Sequence, residues 1–118
     1  MTTRTPFAIT EGELLTASNA DVGSAVQTGR RFIPRKLRLH NSDTTDRTVT
    51  LYVIPTGQSA GAAYYLIQDY TISAKETVTI PFPEGEVWYA GTKLQGSASV
   101  TSVVNIVCTG MAISGTFT

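Results

Sequence analysis

The sequence is short of the residue types on which most protein chemistry depends. It has one cysteine, Cys108, and one histidine, His40, in 118 residues. A single cysteine excludes an internal disulfide and any multi-thiolate metal centre, and it fits a chain that folds in reducing cytoplasm. A lone histidine supplies one ligand where a tetrahedral metal site needs several. Charged residues make up only 15% of the chain, against a usual value of about 25%. Nine cations balance nine anions, so the formal net charge is zero and no overall field draws in nucleic acid or an anionic membrane. Long apolar runs are missing as well. No stretch of about 18 apolar residues is present to span a bilayer, and the opening MTTRTPFAITEGELL lacks the apolar segment of a secretory signal.

Helical periodicity is also absent: no window carries an i, i+3, i+4, i+7 apolar stripe over the length a helix needs. What the chain does have is 42% hydrophobic residues, with abundant Thr, Ser, Ala and Gly, as in Thr-rich β-structure with small-residue turns. RFIPRKLRLHN (31–41) alternates, placing Ile33, Arg35, Leu37 and Leu39 on one face and Pro34, Lys36, Arg38 and His40 on the other. Pro34 marks an edge or a bulge in that strand. RTVTLYVIP (47–55) alternates again, with Val49, Leu51 and Val53 inward, and the SDTTD turn between the two segments predicts a hairpin. Further strands are expected in ELLTA (13–17), near Ser24–Gln27, and in YYLIQDYTIS (64–73), TVTIPF (77–82), VWYA (87–90) and VTSVVNIVCTGMAI (100–113). Turn signals recur between them. The expected fold is all-β: one antiparallel β-sandwich of about seven to nine short strands with no substantial helix, the jelly-roll group included. Its domain would run from 13 to 110. Residues 1–12 read as a flexible arm carrying the apolar pair Phe7 and Ile9, dispensable for folding, and 111–118 as a C-terminal tail.

Candidate sites follow. GQSAG (57–61) fits the G-x-S-x-G pattern of a serine nucleophile, but that chemistry needs a base in reach and a helix behind the turn. Here the residues behind it read as strand and His40 precedes Ser59 in the chain, so the glycines are read as loop freedom. Asp43 and Asp46 sit in a turn, where carboxylates cap their own backbone. Cys108 falls on the inward face with Val104 and Ile106 and is read as a small buried group. No catalytic residue, metal ligand or cofactor site is assigned. The more informative features concern partners. Arg30, Arg31, Arg35, Lys36 and Arg38 put five of nine cations on one segment. Without interleaved aromatics this is read as edge-strand protection or a salt-bridged protein contact, not as a nucleic-acid stripe. In PFPEGEVWYAG (81–91), Trp88 and Tyr89 face opposite ways, so both cannot be core. Phe7, Ile9, Arg30, Arg31, Trp88 and Tyr89 are therefore the expected protein-interaction residues. The rival expectation is a carbohydrate or host-receptor reader that uses Trp88, Tyr89 and Tyr64.

Several elements in this order form a pattern. A strand ending in LYVIP is followed by the Gly/Ser/Ala loop TGQSAGA, the turn ISAKET and a closing Ala/Ser/Val-rich strand (SASVTSVVNIVCTG), all preceded by a strand that ends in HNSDTTD. Over residues 13–110 this resembles a group of small β-rich virion proteins of tailed bacteriophages and prophages. The resemblance implies a structural piece of the particle: head decoration, spike base, or tail or adaptor protein. It would be made in the host bacterial cytoplasm and be present in the virion as a homo-oligomer, docked on capsid, tail or fibre proteins. It carries over no catalytic residues. Tyr64, Tyr65, the VWYA segment and the tail MAISGTFT depart from the pattern.

Overall fold

The computed structural model describes residues 3–114. Its strands are β1 (Thr3–Leu14), β2 (Ala20–Val22), β3 (Arg30–Asn41), β4 (Arg47–Ile54), β5 (Tyr65–Ile72), β6 (Thr77–Pro81), β7 (Lys93–Ala98) and β8 (Val104–Ser114), with one 3-10 turn at Ala62–Tyr64. Two four-stranded sheets form, in the orders β1-β8-β3-β6 and β2-β7-β4-β5. The pairs β1·β8, β2·β7, β3·β6 and β4·β5 are all antiparallel. The chain is therefore one long hairpin folded back at the β4–β5 loop and rolled until β3 meets β8 and β4 meets β7. That is a jelly roll, the eight-stranded form of the expected sandwich.

The core lies between the sheets. Leu37, Leu39, Leu51, Ile54, Leu94 and Ile106 are fully buried, and each contributes about 1.5–3 kcal/mol relative to exposure. β8 alternates without interruption, with Val104, Ile106 and Cys108 inward. β3 does not. Phe32 and Pro34 are buried in its first half, Leu37 and Leu39 in its second, and the register against β8 shifts between Pro34 and Lys36. The added residue moves Ile33 and Arg35 off the face that a single alternation gives them. A side chain at position 110 would run into the Ile33 carbonyl, so the glycine opposite fits this bulge.

Several expectations are corrected. Segments 31–41 and 47–55 are not a hairpin: β3 and β4 lie in different sheets, and residues 42–46 cross between them. Asn41, fully buried, fastens that crossing by donating from Nδ2 to the carbonyls of Thr45 and Ile72, each at 3.0 Å. Of the expected arm 1–12, residues 3–12 are not free, because Thr3–Leu14 pairs along β8 and buries Ile9, while residues 1 and 2 lie outside the described residues. Residues 111–114 likewise continue β8, while the rest of the expected tail, 115–118, lies outside the described residues. The strand expected near 24–27 is at Ala20–Val22 instead. VWYA is reduced to one bridge, in which Phe32 and Trp88 exchange both backbone hydrogen bonds. Nor is β3 an edge: β8 and β6 flank it, so the exposed Arg35, Lys36 and Arg38 do not protect an edge.

A candidate protein-docking site at one end of the sandwich

The strands of the first sheet outrun their cover. β1 and β3 are 12 residues long and β8 is 11, whereas β2, which faces them near one corner, has only three. Beyond β2 the inner face is covered by the loop that follows it. That loop is held by backbone hydrogen bonds from Val26 N to Thr92 O (2.9 Å) and from Gly91 N to Val26 O (2.8 Å). Between this loop and the overhanging sheet lies a pocket of about 70 Å³ with an apolar wall of Phe7, Ile9, Val26, Phe32 and Ala112. Arg30 and Arg31, at the start of β3, line it too. Among the described residues no acidic side chain lines it. Phe7 sets its ring edge-on to Phe32 at 6.1 Å yet stays 38% exposed.

Four of the six residues expected at an interface, Phe7, Ile9, Arg30 and Arg31, thus meet in one pocket. Tyr89 stands beside them, 59% exposed, with the Arg31 guanidinium 5.2 Å from its ring centre. Trp88 is a correction. It is 2% exposed and wedged between Phe32 (5.4 Å) and Phe82 (5.8 Å), so no sugar ring or partner protein reaches its face. Ile9 is 6% exposed and serves as wall, not contact. Sequence reading did not select Val26, Phe32 and Ala112. The β3 bulge reverses the facing of Phe32, and Ala112 lies in the segment expected to be a tail.

The other candidates stay apart. Ser59 lies in an exposed loop, and His40 Nδ1 pairs instead with Thr77 Oγ1 at 2.8 Å. Asp43 caps its turn, accepting from Thr44 N at 2.7 Å and from Arg47 Nη2 at 2.6 Å. The Arg47 hydrogen bond, with the Thr44 amide second, holds its carboxyl below the usual range. Asp46 accepts from Ala74 N at 3.0 Å. Burial pushes the Cys108 thiol up to about 12, leaving it without nucleophilic character near neutral pH. Among the described residues no cluster of three His, Cys, Asp or Glu side chains gathers to hold a metal, and no helix is long and apolar enough to cross a membrane.

No protein-family model matches the chain, and no curated protein sequence does. Its fold is similar to that of solved structures. One is a protein of Bacillus endospore appendages, described as a novel family of disulfide-linked pili. It aligns with a TM-score of 0.54 and 12% identity over 99% of this chain and 89% of its own. Another is from infectious bursal disease virus, Gx strain, with a TM-score of 0.53 and 12% identity over 98% of this chain. This chain spans 32% of that viral protein's length. At such identities the likeness establishes a shared fold.

Proposed function

We propose that this protein is a non-enzymatic structural subunit of a tailed-phage virion, docking on other virion proteins as a head-decoration, spike-base or tail-adaptor piece. The observation that carries the reading is the open apolar pocket with a cationic lining at one end of a jelly roll. The fold is similar to part of an infectious bursal disease virus protein, and the ordered run of sequence elements resembles small phage virion proteins. Assembly through disulfides, as in the similar pilus, does not suit this chain, because its one cysteine is buried. The carbohydrate-reader alternative loses its main stacking group, since Trp88 is in the core.

The test is to raise phage particles from a host carrying this gene, purify them by density gradient, and combine peptide mass spectrometry with electron microscopy. The expected result is many copies per particle, with density for a body about 49 × 26 × 21 Å. Particles that form and infect with the protein absent from them would refute the proposal.

A further inference from the structure

Three of the four sheet edges are interrupted or too short to take on another strand. β2 has three residues, β1 carries Pro6 and shifts register against β8, and β5 is broken at Asp69, whose φ is 49° and whose N–H donates to Thr50 Oγ1 at 3.0 Å. β6 is regular. It pairs with β3 from Lys36↔Pro81 to His40↔Thr77 without a shift and, among the described residues, has no strand on its other side. The bonds that bracket it, Asn41 N to Glu76 O and Phe82 N to Arg35 O, both 3.0 Å, give the even-numbered residues to β3. Thr77 and Thr79 therefore direct N–H and C=O away from β3, and Pro81 directs its C=O there.

This edge lies opposite β1 in its sheet. The residues outside the description attach at Thr3 and Ser114. Ser114 pairs with Arg30, six residues of β3 and roughly 20 Å from Lys36 at ~3.3 Å per residue. That exceeds the ~14 Å that four residues span when fully extended.

Charge of opposite sign marks the two ends of the edge. Exposed Arg35 stands at the Phe82 end, lining a surface depression that also holds Glu84, and exposed Glu76 precedes Thr77 at the other end. Among the described residues neither Arg35 nor Glu76 is in an ion pair. Between them Val78 and Ile80 are only half-buried at the margin of the core. The edge thus suits an antiparallel strand that is apolar in its middle, acidic where β6 meets Arg35 and basic where it meets Glu76. β6 of a second copy, with its own Arg35 and Glu76, is such a strand.

We infer that two copies of this chain associate through β6 about a two-fold axis at Thr79, joining their first sheets into one continuous sheet. Thr79 exchanges backbone hydrogen bonds with its own equivalent, the Thr77 N–H donates to the Pro81 C=O of the second copy, and Val78 comes opposite Ile80. Glu76 comes opposite Phe82 and beside Arg35 of the second copy, and Lys75 approaches its Glu84. A parallel arrangement would instead set Arg35 by Arg35 and Glu76 by Glu76. The contact is isologous, so it closes at the dimer. This goes beyond the structural-subunit reading and stands whether or not the assembly is a virion.

Sedimentation of the purified full chain at low salt, over a concentration series to about 1 mM, tests it. Wild type is expected to pass from monomer to dimer and to stop there. Thr79→Lys, at an exposed position on the axis, sets two cations face to face and is expected to weaken the dimer by about tenfold or more. Circular dichroism confirms that each variant is folded, and Thr79→Pro, which removes the outward N–H, replaces Thr79→Lys if that variant is not. Arg35→Glu and Glu76→Arg each bring like charges together and are expected to weaken the dimer several-fold. Their 1:1 mixture is the decisive measurement. In a two-fold heterodimer the two altered residues meet at one contact and the two native ones at the other, so opposite charges face each other at both and dimerisation returns toward wild type. A wild type that stays monomeric through the series or grows past the dimer overturns the inference, as does a Thr79 variant that dimerises like wild type or a mixture that associates no better than either variant alone.

Discussion

Replacing Trp88 separates a core residue from a binding one. The indole is 2% exposed, packs against Phe32 and Phe82, and sits on a backbone bridge that ties the β6–β7 loop to β3. Truncating a buried large aromatic costs about 3–5 kcal/mol through lost transfer energy and the cavity left behind. Loss of two aromatic pairs places Trp88→Ala in the upper part of that range. Against a typical total of about 5–15 kcal/mol, this is a large fraction of the stability. At a urea m-value of about 2 kcal/mol/M the unfolding midpoint falls by about 1.5–2.5 M. The chain's single tryptophan is the residue removed, so the transition is followed by circular dichroism instead of fluorescence. Tyr89→Ala is the internal control. That ring is exposed and its contact with Arg31 is a surface cation–π pair, worth about 0.5–1 kcal/mol. A Trp88→Ala protein within about 1 kcal/mol of wild type, or a Tyr89→Ala protein that loses as much as Trp88→Ala, would show that the indole is not core and that the pocket has been wrongly drawn.

Gly110→Ala is expected to cost about 2–3 kcal/mol, at the upper end of overpacking, because the added carbon meets the Ile33 carbonyl and the Phe32 ring. Thermal denaturation reads this directly, and an unchanged melting temperature would remove the bulge from the account. Deleting residues 1–12 is expected to abolish cooperative unfolding, since it strips β1 from β8 and removes the buried Ile9. A truncated chain that unfolds cooperatively, within about 1 kcal/mol of full length by urea titration, would restore those residues to the status of an arm.

Where alternation is unbroken, the sequence is a sufficient guide to which residues are buried. Val49 and Leu51 in β4, and Val104, Ile106 and Cys108 in β8, point inward as their period demands. The opposed facing of Trp88 and Tyr89 follows from the same geometry. What alternation does not carry is phase across an irregularity or choice of partner. One extra residue between Pro34 and Lys36 reverses the facing of the first half of β3, and its cause lies partly at Gly110, far along the chain. The proline signalled the bulge without fixing which side would flip. Pairing is similarly nonlocal: β3 and β4 are neighbours in sequence and end in opposite sheets. Short range suggests a hairpin there, whereas burying both apolar faces requires the chain to cross. The candidate site was half legible for the same reason. Phe7, Ile9, Arg30 and Arg31 stand out as apolar or charged groups, but that they share a pocket is a consequence of β1 and β3 both pairing with β8.

The shift from arm to strand also explains why the pocket exists. A free arm would leave β8 with one uncovered edge and the inner face around Ala112 bare. As a strand, residues 3–14 extend the first sheet beyond the three-residue β2, and the chain closes the gap with an irregular loop. A loop cannot pack at the roughly 10 Å spacing of two facing sheets along its whole length, so a space remains where Phe7 stays partly wet beside Phe32. The length mismatch between the two layers thus sets both the position and the size of the docking pocket, while Arg30 falls there because β3 begins at that end. Leu14 is exposed by the same strand at its far end, where β1 stops and Leu15 turns into the core.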